Sequence, residues 1–409
     1  MSSANLVSVV YVDETAYGQK PTPLSGVTLK TARFTSESLS GTPATTTSAA
    51  IRTDRMSGGQ VVTGLEVGGG LDFELAPGTF FDDFFAAGMM NQWTAADSLS
   101  TDVTLTPNPS DDQEATLTIT GDFSTIDAAV GNLLQLIPAT GDPVVVSIKS
   151  VTSTTELVVA TMRGEEALTG VTMTVAVPAY LDIGTEQISY VIGKSYTDVP
   201  HDVSTDVHSQ TYTGSLVSAF NISASYGEIV TGSFTTVGNG YDQEVPSFQQ
   251  QVVAAGGSVT PAGTTNPVNA SVDVPLVTSD LSATDFCIEQ FTIDLDNGLS
   301  PTQCIGKIAP TGYTLGTAGI SISTNIYLSD TSYDAFMLAK LTQDPVSLTF
   351  TMENIDGGYA FSLPAVQLSF PDPAATGANE QTMIEAAGQA KVGPNGESAL
   401  RIYKLVGEQ

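Results

Sequence analysis

His201 and His208 are the only two histidines of the chain. With Asp198, Asp202 and Asp206 they place imidazole and carboxylate ligands in one short stretch, the chemistry of a transition-metal or calcium site. Their spacing fits no metal motif, and the stretch reads as an exposed polar loop. Asp294-x-Asp296-Asn297-Gly298 resembles the start of an EF-hand loop, but the distal Glu is missing and a hairpin turn accounts for the same residue types. Gly68-Gly69-Gly70 lacks the Gly-Lys-Ser/Thr of a phosphate-binding loop, so strand twist or close backbone packing is the expected reason for it. Asp82–Asp83 and Glu165–Glu166 are adjacent carboxylates with no partner base in view. Asn221-Ile222-Ser223 and Asn269-Ala270-Ser271 fit the glycosylation pattern, which is short enough to arise by chance. Cys287 and Cys304 read as reduced thiols in a core, and a bridge between them would need an oxidising compartment. No Ser-His-Asp, Cys-His or cofactor arrangement is present. The expectation is therefore no catalysis, no cofactor and no bound metal.

Composition narrows the function classes further. The 409 residues carry 44 acids against 13 bases, a net charge of −31. No Lys or Arg occurs between Lys194 and Lys307. Tight nucleic-acid binding through phosphate neutralisation needs clustered Lys and Arg, and this charge balance argues against it. An acidic wall repels phosphate, so DNA can pass along it without sticking. The alternative is an acidic, soluble surface. No apolar run reaches membrane-spanning length and no cationic-then-apolar leader opens the chain, so synthesis in the cytoplasm is expected. Charged residues are only 14%, and Thr, Ser, Val, Gly and Ala fill the gap, which favours strands.

The elements that would position these residues occur twice. Residues 79–87 read Thr-Phe-Phe-Asp-Asp-Phe-Phe-Ala-Ala and residues 331–339 read Thr-Ser-Tyr-Asp-Ala-Phe-Met-Leu-Ala. Thr79, Phe81, Asp82, Phe84 and Ala87 match Thr331, Tyr333, Asp334, Phe336 and Ala339. Each segment follows an alternating strand, and Tyr212-x-x-Ser215-Leu216 after the first helix has its counterpart in Tyr359-x-x-Ser362-Leu363. Phe81, Phe84 and Phe85 share a helical face, as do Tyr333, Phe336 and Met337, and both stripes are expected in cores. Thr79 with Asp82, and Thr331 with Asp334, fit a helix-start pattern.

These signals divide the chain into a first β unit at 1–96 and 186–238, a small inserted β domain at 97–185, an extended linker at 239–284 and a second β unit at 285–409. A parity change at Glu289–Gln290 predicts a β-bulge, and Pro364 predicts a bend. Residues 6–12 read as a strand or as an arm that pairs on a neighbour, which makes Leu6, Val7, Val9, Val10 and Tyr11 candidate assembly residues. Residues 40–50 have loop composition. Lys30, Arg33, Arg52 and Arg55 form a local basic cluster, a candidate docking patch. The fold class is mainly β: two duplicated antiparallel barrel or sandwich units, each with one helix, plus an inserted small barrel.

Residues 6–23, 64–88, 285–306 and 357–370, in that order, resemble the opening, strand–turn–helix, hairpin and late Gly-Gly-Tyr-x-Phe-x-Leu-Pro strand of the tail tube (major tail) proteins of long, flexible-tailed bacteriophages. Residues 97–185 are similar to a barrel inserted in some of them, and the nearest likeness is to Chi-like phages that attach to flagella. The resemblance implies a structural virion protein whose rings stack into a hollow tube for DNA, together with other tail proteins and without a membrane. The family repeats one unit six times per ring. Two units in one chain favour a trimeric ring with pseudo-sixfold symmetry, with a hexamer second. Removal of residues 1–12 or 40–57 is expected to leave a folded chain that does not polymerise. A single-ring baseplate protein and a surface adhesin are the rival readings.

Overall fold

The computed structural model describes residues 3–407, apart from 52, 55, 57, 110, 162–166, 202–204, 274–276, 280–286, 330–332, 334–336, 338–339, 374–376, 378–380 and 395. It is mainly β. Two strand systems account for most of the chain: a large assembly from both ends of the sequence, antiparallel except where Ser258–Thr260 pairs with Thr28–Thr31, and a closed six-stranded barrel between Asp97 and Val177.

The large assembly repeats one strand order. In the first half, Ser189–Pro200 forms a hairpin with the long strand Val207–Ser225. That strand pairs on its other side with Gly240–Glu244 and then Thr231–Gly238. Thr231–Gly238 pairs with Gln60–Glu74, which pairs with Ser36–Glu37 and Ser40–Thr47. In the second half, Val346–Asn354 forms a hairpin with Gly357–Ser369. That strand pairs with Arg401–Leu405 and then Met383–Ala390. Met383–Ala390 pairs with Gly319–Tyr327, which pairs with Ile288–Asp296. Helix α1 (Thr79–Met89) follows Gln60–Glu74, and a helix with residues 333, 337 and 340–342, here α2, follows Gly319–Tyr327. Among the described residues, the only non-glycines with left-handed φ are Met90 (53°) and Gln343 (58°). They end the two helices at equivalent places.

Several expectations need correction. Residues 7–13 are no free arm: Val7–Asp13 lies between Ser189–Pro200 and Thr28–Thr31, with Val9, Val10 and Tyr11 buried. Removal of residues 1–12 would therefore open the core. Residues 40–47 are a strand despite loop composition, because pairing with Gln60–Glu74 satisfies their backbone. The segment 239–284 is not merely extended. It holds Gly240–Glu244, helix α3 (Phe248–Ala254, labelled after the two repeated helices) and Ser258–Thr260. Ser247 and Gln250 cap α3 reciprocally, a capping box written in the sequence as Ser-x-x-Gln. The helix start at Thr79 makes no side-chain cap, and Gly78 is its N-cap residue. The bulge lies between Ile288 and Gln290, and a second irregularity sits opposite Pro364.

The inserted barrel has its own core, including Leu105, Leu117, Leu136, Val146 and Leu157. Its two ends meet where Thr94 N–H donates to the Tyr180 carbonyl at 3.0 Å and Tyr180 N–H to Thr94 Oγ1 at 3.0 Å. It docks on the second half through Leu133 and Val145 against Ala360, Tyr403 and Leu405. Gln135 exchanges hydrogen bonds with the backbone of Val406.

Candidate assembly surfaces

Helix α1 ties the two halves together. Phe80, Phe81, Phe84 and Phe85 are buried on it. Phe81 meets Phe73 at 5.1 Å between centroids and Phe84 stacks on Tyr190 at 5.1 Å, both in the first half. Phe85 meets Tyr359 and Phe361 of the second half. The adjacent carboxylates are structural anchors, one for each half. Asp83 accepts from Tyr11 Oη at 2.9 Å and Lys30 Nζ at 2.6 Å. Asp82 accepts from Tyr359 Oη at 2.9 Å and Lys404 Nζ at 2.7 Å. Burial pushes the Asp83 carboxyl up, and the Lys30 ammonium pulls it back.

Helix α2 is covered differently. Met337 packs against the main core, but Tyr333 is 46% exposed and Leu341 78% exposed. The expectation of a buried Tyr333 is therefore overturned, and Phe336 lies outside the described residues. Among the described residues, α1 has a neighbouring unit across it and α2 does not.

The strands next to these helices form one continuous sheet across both halves. Their order is 36–47, 60–74, 231–238, 216–225, 288–296, 319–327, 383–390 and 366–369. The junction is the pairing of residues 219–225 with 290–296, in which Asn221 opposes Asp294 and Ser223 opposes Thr292. Asn297 closes it: its amide donates to the Gly88 carbonyl at 2.8 Å and the Val217 carbonyl at 3.3 Å. Asn297 is thus a buried tie and not a tight hairpin turn, since the chain runs on to Ser300–Thr302 and Gly312–Thr314 before returning. Gly68 and Gly69 lie in this sheet, where a Cβ would collide with the Thr236 and Ser38 carbonyls, so close packing explains the triplet.

One face of the sheet is core: Leu71, Phe73, Phe234, Phe220, Ile293, Ile322 and Leu368 are buried. The other carries Asp72, Glu74, Asn221, Asp294, Asp296, Ser321, Glu385 and Gln389. The eight strands contain no Lys or Arg. Partial burial among neighbouring strands pushes the Asp294 carboxyl up.

A second surface projects from the strand ends. Ile51, Met56, Val61 and Val62 at the tip of the 40–74 hairpin are exposed, as are Ile305 and Ile308 in the matching loop of the second half. The two projections touch where Leu65 N–H donates to the Ile308 carbonyl at 2.9 Å. Arg52 and Arg55 lie outside the described residues. Lys30 is committed to Asp83 and Arg33 to the Thr265 carbonyl at 2.6 Å, so the first two members of the expected basic patch serve their own chain. Leu6 and Val7 precede the buried part of their strand, and Leu6 is exposed.

The His201 and His208 rings lie 5.4 Å apart, Asp202 lies outside the described residues, and among the described residues no cluster of ligands able to hold a metal forms. Glu165 and Glu166 lie outside the described residues. Cys287 and Cys304 are free thiols here, and both are exposed, so neither is the core residue expected. No helix among the described residues is long and apolar enough to cross a membrane.

A comparison with curated proteins finds no match. The family described as phage tail tube protein matches residues 4–390, nearly the whole chain and both halves of the continuous sheet. The chain belongs to the phage tail tube protein family and is a structural protein of the virion tail.

Proposed function

We propose that three copies of this chain close into a ring with pseudo-sixfold symmetry, and that rings stack into the tail tube through which genomic DNA is ejected into the host. The observation that carries this reading is the continuous eight-stranded sheet. It has one core face, one acidic face without a single Lys or Arg, and two outer edges left unpaired among the described residues. Exposed strand edges are a liability unless something covers them, and a ring in which sheets join end to end covers both. The acidic face then lines the lumen. Phosphate is repelled from such a wall, so DNA slides and does not bind.

The helices and the inserted barrel lie on the side of the sheet away from the lumen, with the barrel on the tube exterior. The apolar tips around Ile51, Met56, Ile305 and Ile308 stack ring on ring, with Leu6 at the same kind of contact. The chain is made in the host cytoplasm, joins other tail proteins of a long, flexible-tailed phage, and performs no catalysis. Purified protein, concentrated and imaged by negative-stain electron microscopy, should form long hollow tubes. Single rings that never stack would favour a baseplate role, and monomers that resist assembly even with a tail initiator complex would favour an adhesin. A variant with residues 48–59 replaced by a short turn should keep its fold and lose stacking.

A further inference from the structure

The contact between neighbouring chains can be read from the contact inside one chain, an inference that rests on the ring reading above. In the first half, the partner strand Ser189–Pro200 reaches Leu216 on the long strand and stops. From Ala219 onward the vacated side is taken by Ile288–Asp296. In the second half, Val346–Asn354 reaches Val366 on the equivalent strand and stops. Beyond Val366 that side has no strand among the described residues. Ile288–Asp296 flanks Gly319–Tyr327 as residues 36–47 flank Gln60–Glu74. The missing partner of the edge that starts at residue 367 is therefore the equivalent of Ile288–Asp296, and that is residues 36–40 of another copy.

We infer that residues 367–369 of one copy pair antiparallel with residues 36–40 of the next, repeating the 219–225 to 290–296 junction between chains. The face pattern agrees on both sides of the joint. Leu368 on one edge and Leu39 on the other are buried, while Gln367, Ser369, Ser36 and Ser38 are exposed. Core would continue into core and polar face into polar face, as a period of two requires. Side chains occupy some of these edge groups in the lone chain. Gln343 Nε2 donates to the Leu368 carbonyl at 3.1 Å, Tyr212 Oη donates to the Leu39 carbonyl at 3.0 Å, and Leu39 N–H donates to Glu37 Oε2 at 3.1 Å. Strand pairing replaces these bonds in kind. The same neighbour accounts for the exposure of Tyr333 and Leu341, because it brings to α2 the unit that covers α1 inside the chain.

Disulfide trapping tests this. In a Cys287→Ser, Cys304→Ser background, Ser369→Cys is combined with Ser36→Cys, Ser38→Cys or Ser40→Cys. These side chains share the exposed face, and opposed residues in antiparallel strands come within disulfide reach. Asn221→Cys with Asp294→Cys is the control for the junction inside one chain. The expected result is chain-to-chain crosslinks up to a covalent trimer for at least one edge pair, and an uncrosslinked monomer with an internal bridge for the control. If rings form and the control oxidises but no edge pair crosslinks, the inference is wrong while the ring reading stands. If protein of unaltered sequence forms no rings or tubes under any assembly condition, the ring reading fails and takes this inference with it.

Discussion

Asn297 holds three elements with one buried side chain: the end of α1, the long strand of the first half and the start of the second-half loop. Asn297→Ala leaves the Gly88 and Val217 carbonyls without that donor. The cost should be about 1–3 kcal/mol, read by chemical denaturation, and a loss below about 0.5 kcal/mol would show that the tie is dispensable. Glu353 makes a different prediction. Desolvation first, and the nearby Asp142 second, push its carboxyl up to about 7. The folded state therefore binds more protons than the unfolded state between the ordinary carboxylate range and pH 7. Its contribution to stability is fully present below that window and is lost as pH rises through it. Glu353→Gln should flatten the fall of stability across that window, and an unchanged slope would contradict this assignment. The residues themselves were visible in the sequence: Asn297 stood out in Asp-Asn-Gly, and Asp82–Asp83 as paired acids. Their roles were not, because the partners Gly88, Tyr11 and Tyr359 are tens to hundreds of residues away and no local spacing points to them.

At the scale of elements, alternation and aromatic spacing made the two strand–helix repeats legible, since one buried face leaves a periodic trace. The parity change near Glu289 was legible for the same reason. The 40–47 strand was hidden, because its solvated side chains are Thr, Ser, Pro and Ala, and only the pairing to Gln60–Glu74 makes it a strand. The N-terminal strand was seen, but its partner was not. Periodicity says that a strand is half buried and does not say in which chain its neighbour lies. The inserted barrel offers a clean test of modularity. Thr94 and Tyr180 already bond to each other across its base. Excision of residues 97–177 with a short Gly-Ser bridge should leave a body that folds and forms rings without outer lobes. An insoluble or unfolded product would show that the apolar contact of Leu133 and Val145 with Tyr403 and Leu405 is required for folding.

For the whole molecule, the charge balance and the duplication point the same way. Part of the net charge of −31 gains a location: the strands of the continuous sheet carry eight of the 44 acids and no bases, and the open face of that sheet is the one that meets DNA in the proposed tube. Composition made the acidity legible, while only the sheet order shows which acids share the open face of the sheet. Two copies of the same strand order in one chain make three chains enough for a ring of six units. The most direct measurement is the rotational symmetry of assembled tubes in end-on averages by cryo-electron microscopy, with the mass of isolated rings as a cross-check. Threefold rings built from three chains are predicted, with six similar four-stranded units around the lumen and three barrel lobes outside. A ring of six chains with six lobes, each contributing one sheet unit to the lumen, would contradict it.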